Sequence, residues 1–185
     1  MYLQILRLTL VVFVVALCGQ PGQCLASAGI SPQEGSTEKL RDFLRSYLNQ
    51  GGGQPDRTTR VSIISTPLQS EAAKEQIVYV TGRGWCGSGG CTLLILEPSA
   101  DTFKVLGDLS AVQLPVKILP GFKNGHPSIS VRARGIKVGS EYRMKLSFDG
   151  GNYPSDATLP PAQRLTDDKG RSILTSASTS IPLYD

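Results

Sequence analysis

Cys86 and Cys91 enclose Gly87-Ser88-Gly89-Gly90, and Gly82-Arg83-Gly84-Trp85 leads into the pair. Cysteines so placed suit one of three chemistries: a structural disulfide, a redox dithiol or part of a metal site. A dithiol catalyst usually presents Cys-x-x-Cys at a helix N-terminus, which lowers the thiolate pKa. Here the spacing is wider and a strand-like run follows. Zinc takes about four ligands, and the only histidine lies far along the chain. The reading is a structural disulfide, Cys86 to Cys91, tying adjacent strands, with no metal and no cofactor. The loop glycines could form a nest of N–H groups for an anion, helped by Arg83. The Gly-Lys-Ser/Thr ending of a P-loop is missing, so they read as turn formers at positive φ. Trp85 fits two roles, a partner anchor at a loop tip or a packing residue on the bridge.

His126 follows Asn124-Gly125 and precedes Pro127, which places it on a surface turn. A catalytic histidine needs a nucleophile and an orienting acid, and the chain has no Gly-x-Ser-x-Gly elbow. The remaining candidates are cations. Arg132 and Arg134 alternate with Val131 and Ala133, and Arg143 and Lys145 alternate with Tyr142, Met144 and Leu146. Alternate residues of a strand share a face. If the two strands pair across 135–140, all four cations share one outer face. Such a face suits an acidic protein or an anionic envelope polymer. The plainer reading is a solvated sheet face that discourages edge aggregation.

These residues need a compartment and a scaffold. Arg7 precedes an apolar run from Leu8 to Cys18, and Ala26-Ser27-Ala28 is a small-x-small site. Residues 1–28 read as a signal peptide cleaved after Ala28. The apolar run is about half the roughly 20 residues that span a bilayer, so no transmembrane segment is expected after cleavage. Val15-Ala16-Leu17-Cys18 partly resembles a lipobox, but Leu17 is large where a small residue belongs. Cleavage removes Cys18 and Cys24 and leaves one cysteine pair in an oxidising compartment. The expected location is the periplasm or beyond. The formal net charge of +4 is mild and argues against nucleic-acid binding.

Residues 29–35 read as a leader, 36–153 as one domain and 154–185 as a Pro/Ser/Thr-rich, partly disordered tail. After Ser36-Thr37, Leu40, Phe43, Leu44, Tyr47 and Leu48 form one helical stripe. Gly51-Gly52-Gly53 ends it. Val61–Ile64, Gln76–Thr81, Cys91–Leu96, Phe103–Leu109, Val116–Leu119, Ile129–Arg134 and Tyr142–Phe148 then read as strands. Pro67–Glu75 reads as a loop. Leu93-Leu94-Ile95-Leu96 is apolar throughout, as in a strand buried on both faces. No helical crossover follows the first helix, which favours an antiparallel meander. The expected fold is α+β: one N-terminal helix on a meander sheet of about six strands, with one disulfide-closed loop.

Val78-Tyr79-Val80, Gly82, Gly84-Trp85-Cys86-Gly87-Ser88-Gly89-Gly90-Cys91, Leu93–Glu97, Phe148-Asp149-Gly150 and Tyr153-Pro154 together resemble a family of uncharacterised secreted bacterial proteins with a Trp-Cys-Gly-x-Gly-Gly-Cys motif. The resemblance covers roughly residues 60–165. It implies export and a β-rich fold, and brings no activity. Relatives often carry an Asp-x-Asn-x-Asp-Gly loop before the Val-Tyr strand. Here 65–75 offers only Glu71 and Glu75 as acids, so no calcium site is expected there.

The functional expectation is an exported, non-enzymatic binding or accessory module of the bacterial envelope. Arg83, Trp85, Arg132, Arg134, Arg143 and Lys145 are the candidate partner-binding residues. The alternatives are a small envelope hydrolase using His126 and a structural envelope protein.

Overall fold

A computed structural model describes residues 32–70, 73–134 and 141–184. The expected signal peptide, with Cys18, lies outside the described residues. Helix α1 spans Pro32–Leu48. It begins ahead of Ser36-Thr37 because proline fits a first helical turn, whose N–H groups have no intrahelical acceptor. The predicted stripe is its buried face. Leu40 and Leu44 are buried, with Phe43, Tyr47 and Leu48 packed beside them. Gly52, at φ +72°, takes the left-handed conformation just past the helix.

Among the described residues ten strands follow, against an expected six or so. They are β1 (Arg60–Ser70), β2 (Ala73–Thr81), β3 (Cys86–Gly87), β4 (Gly90–Ser99), β5 (Thr102–Lys123), β6 (His126–Arg134), β7 (Glu141–Leu146), β8 (Gln163–Leu165), β9 (Arg171–Leu174) and β10 (Ile181–Pro182). The six long strands form the expected antiparallel meander, β1-β2-β4-β5-β6-β7. The four short ones pair along it. Pro67 does not break β1. It sits where the β1–β2 register shifts between Thr66 and Ser70, and a proline is tolerated where no ladder N–H is required. The expected 67–75 loop is therefore mostly hairpin.

Strand β5 also merges two expected strands. It pairs with β4 up to Val112 and with β6 from Gln113. The change of partner follows Ala111, at φ +56°, and register shifts flank it. Such bulges bend a strand and increase its twist. The meander thus doubles back, and its two halves share one core. Ile77, Tyr79, Leu93 and Ile95 of the first half join Val116, Ile129, Val131 and Leu146 of the second. The opposite face of the first half, with Val61, Val78, Val80, Leu94 and Leu96, takes the helix. This explains the unbroken Leu93–Leu96 run: alternate residues enter different cores.

The Pro/Ser/Thr-rich tail contains three of the short strands. Strand β8 extends the sheet beside β7, and β9 pairs with the part of β5 that β4 has left. Strand β10 pairs with β1, and Leu183 is fully buried against the helix-side core. Among the described residues, no helix is long and apolar enough to cross a membrane.

Candidate functional site

The cysteine motif builds one corner. Cys86 and Cys91 face each other across the β3–β4 hairpin, joined by a disulfide with Cα atoms 3.9 Å apart. Gly90 is obligatory there. At φ +140°, a Cβ would stand 2.3 Å from the Val112 carbonyl oxygen. Asp56 braces the approach by accepting the Thr58 hydroxyl, the Thr58 N–H and the Gly84 N–H. The same three bonds, the hydroxyl foremost, hold its carboxyl below the usual carboxylate range. Arg83 is exposed at this turn. Trp85 is half-buried in the helix-side core, and its Nε1 donates to Thr59 Oγ1 at 2.9 Å. The disulfide and the tryptophan are thus both parts of the frame.

The cations meet as the alternation predicts. Arg132 lies directly opposite Arg143, and Lys145 opposite Ser130, whose other neighbour is Lys117 of β5. Arg134 is opposite Glu141. The face is not bare. Between β8 and β9 the tail reaches from one edge of this half-sheet to the other, with Asp168 bridging it. The Asp168 carboxylate lies 3.1 Å from Lys117 Nζ and 3.4 Å from Arg143 Nε. Neither carboxylate contact has hydrogen-bond geometry, and Lys117 Nζ also donates to the Asp168 main-chain carbonyl at 3.4 Å. Gly170 lets this strap descend, since a Cβ there would be 2.8 Å from the Ile118 carbonyl oxygen. Glu141 pairs with Arg132. Among the described residues, no acid pairs with Arg134 or Lys145. Among the described residues the face holds five cations, counting Lys117, against Glu141 and Asp168.

A third cluster was missed in the sequence. His126 is not on a surface turn. The Asn124-Gly125 turn is present, with both residues at positive φ, but the ring folds inward and the residue is 5% exposed. Phe148 packs on it at a centroid distance of 4.1 Å, and Tyr153 meets it edge-on. Facing His126 are Glu75 of β2 and Glu97 of β4. One ligating atom from each of the three residues lies within 4.8 Å of the others. Gln69 of β1 closes the side, its Nε2 reaching Glu97 Oε1 at 3.1 Å and also His126 Nε2. Glu75 is fully buried. Its Oε2 accepts the Leu68 N–H at 2.7 Å, a donor presented by the β1 bulge, and its Oε1 has no partner. Burial, and then the charge of Glu75, push the Tyr153 hydroxyl above its usual range. That hydroxyl donates to the Pro127 carbonyl at 2.8 Å. One signal of this cluster was legible. Glu75 shares strand parity with Ile77 and Tyr79, and Glu97 with Leu93 and Ile95, so both carboxylates lie on core-facing positions.

A cleft of about 550 Å³ opens between α1 and the turn after β7, lined by Tyr47, Asp108, Asp149 and Tyr153 among others. Tyr47 donates to Asp108 at 2.8 Å. Burial, then this bond and the Asp108 charge, push its hydroxyl up to about 12.

Comparison with protein-family profiles, with curated proteins and with solved structures finds no match.

Proposed function

We propose that the protein is an exported, non-enzymatic binding module of the bacterial envelope that engages an acidic partner through the β6–β7 face. The observation that carries this reading is the register of Arg132 against Arg143. Like charges directly opposite one another destabilise a sheet. Glu141 pairs with Arg132 and Asp168 with Arg143, and Arg134 and Lys145, which no acid among the described residues pairs, extend the same charge outward. A surplus of one sign on one rigid face steers and holds a partner of the other sign. The disulfide-closed corner and the apolar run at the N-terminus support export. Trp85 and the disulfide support the frame in this account, and the cations make the contact.

Affinity capture from envelope extracts at low and moderate salt tests the reading. The expected result is an acidic partner retained at low salt and released as salt rises. Equal retention by a chain with Arg134→Glu and Lys145→Glu would remove the face from consideration.

One observation favours a second reading, the small envelope hydrolase: His126 stands beside two carboxylates, which is the acid partner a general base requires. Turnover of an ester or peptide probe that His126→Ala abolishes would support it over the binding module.

A further inference from the structure

We infer that Glu75, Glu97 and His126, with Gln69, form a binding site for one divalent transition-metal ion of the zinc type. The three residues come from β2, β4 and β6, and their ligating atoms lie within 4.8 Å of one another. A mixed imidazole and carboxylate donor set suits zinc, whereas calcium and magnesium favour oxygen alone. Adjacent ligands of a tetrahedral zinc stand about 3.4 Å apart, from bonds of about 2.1 Å. Side-chain rotation of the order of 1 Å therefore closes the site.

The independent sign is the state of the buried polar atoms. Glu75 is fully buried, and its Oε1 has no hydrogen-bond partner. His126 is 5% exposed, its Nε2 is the ring nitrogen that faces Gln69, and its Nδ1, on the other edge of the ring, has no partner either. Native folds rarely leave such groups unsatisfied. Two carboxylates beside one imidazole lack a compensating positive charge within the cluster. Among the described residues the cation paired with the cluster is Lys104, whose Nζ stands 4.0 Å from Glu97 Oε2 at the surface. A divalent cation supplies the missing charge and takes the free lone pair of Glu75 Oε1.

The surroundings fit a held ion. Leu68 N–H fixes the second Glu75 oxygen, and Phe148 and Tyr153 fix the histidine ring. Such outer contacts orient metal ligands. Glu97 and Gln69 lie on the solvent side and give the entry path. A cation there requires the Gln69 amide to present Oε1 in place of Nε2, a rotation about one bond. Gln69 then becomes a fourth ligand, and the ion clamps both halves of the doubled meander. This inference is independent of the cationic face, so either can fail alone.

The test uses the purified full chain, stripped with a chelator and titrated with zinc chloride by calorimetry, with thermal melting in parallel. The expected result is one equivalent bound and a higher melting temperature, since an ion that binds only the folded state stabilises it. Glu97→Gln, at the partly exposed ligand, should fold and weaken binding tenfold or more. His126→Gln should do the same, and if that variant fails to fold, Glu97→Gln carries the test. Lys104→Ala, which removes the competing cation, should tighten binding. Absence of zinc binding, or binding unchanged in Glu97→Gln, overturns the inference.

Discussion

The Asp168 carboxylate stands 3.4 Å from Arg143 Nε and 3.1 Å from Lys117 Nζ, so the tail ties down the face it crosses. Asp168 is only 10% exposed at its side chain. Removing one partner of a largely buried ion pair leaves the other charge uncompensated, which costs about 3 kcal/mol. Asp168→Asn should lower the urea midpoint by a corresponding amount. It should also raise affinity for polyanions, because the face gains net positive charge. Lower stability with lower polyanion affinity would contradict the strap.

Gly90→Ala should be among the most damaging changes in the β3–β4 corner. The added Cβ would meet the Val112 carbonyl oxygen at 2.3 Å, at a φ of +140°. Clash and backbone strain together cost about 3 kcal/mol or more. Cys86→Ser with Cys91→Ser should cost about 2 kcal/mol, the entropy of a short closed loop. Circular dichroism melts of the two variants check the order, with the glycine change the worse.

Leu183→Ala should destabilise the whole domain. Leu183 is fully buried, its N–H donates to Thr59, and Arg45 binds its carbonyl. Truncating a buried leucine costs about 2–5 kcal/mol. If the melting temperature is unchanged, the C-terminal segment does not hold helix and sheet together.

Alkali should weaken the fold once pH rises above about 10. The Tyr47 hydroxyl is pushed up to about 12, and those of Tyr79, Tyr153 and Tyr184 are also raised, burial being the first cause in each. A raised tyrosine pKa means that the fold favours the neutral phenol. That contribution is complete below the unfolded value of about 10 and is lost as pH rises towards 12. Melts at stepped pH should fall through this window, and Tyr47→Phe should fall less steeply. A flat profile would contradict the burial of these hydroxyls.

Features governed by local alternation were legible in the sequence. The helix stripe from Leu40 to Leu48, the doubly buried Leu93–Leu96 strand and the common face of Arg132 and Arg143 all follow from period and parity. What escaped depends on contacts distant in the chain. Pro67 survives inside β1 only because a bulge removes the need for its N–H. The two expected strands at 103–109 and 116–119 are one, because β5 exchanges partners in mid-course. The tail strands are too short to show a period, and their order comes from docking, as Leu183 and Asp168 show. His126 read as a turn residue because its neighbours are turn formers. Its burial arises from Phe148, Glu75 and Glu97, which approach from three other parts of the chain.

The central claim is that an acidic partner binds the β6–β7 cations. Calorimetric titration with polyglutamate, at low and at moderate salt, tests it most directly. The account predicts saturable binding to the wild-type chain that weakens as salt rises and is lost when Arg134 and Lys145 are both changed to glutamate. Binding of equal strength in that double variant, or no binding to the wild type even at low salt, would contradict it.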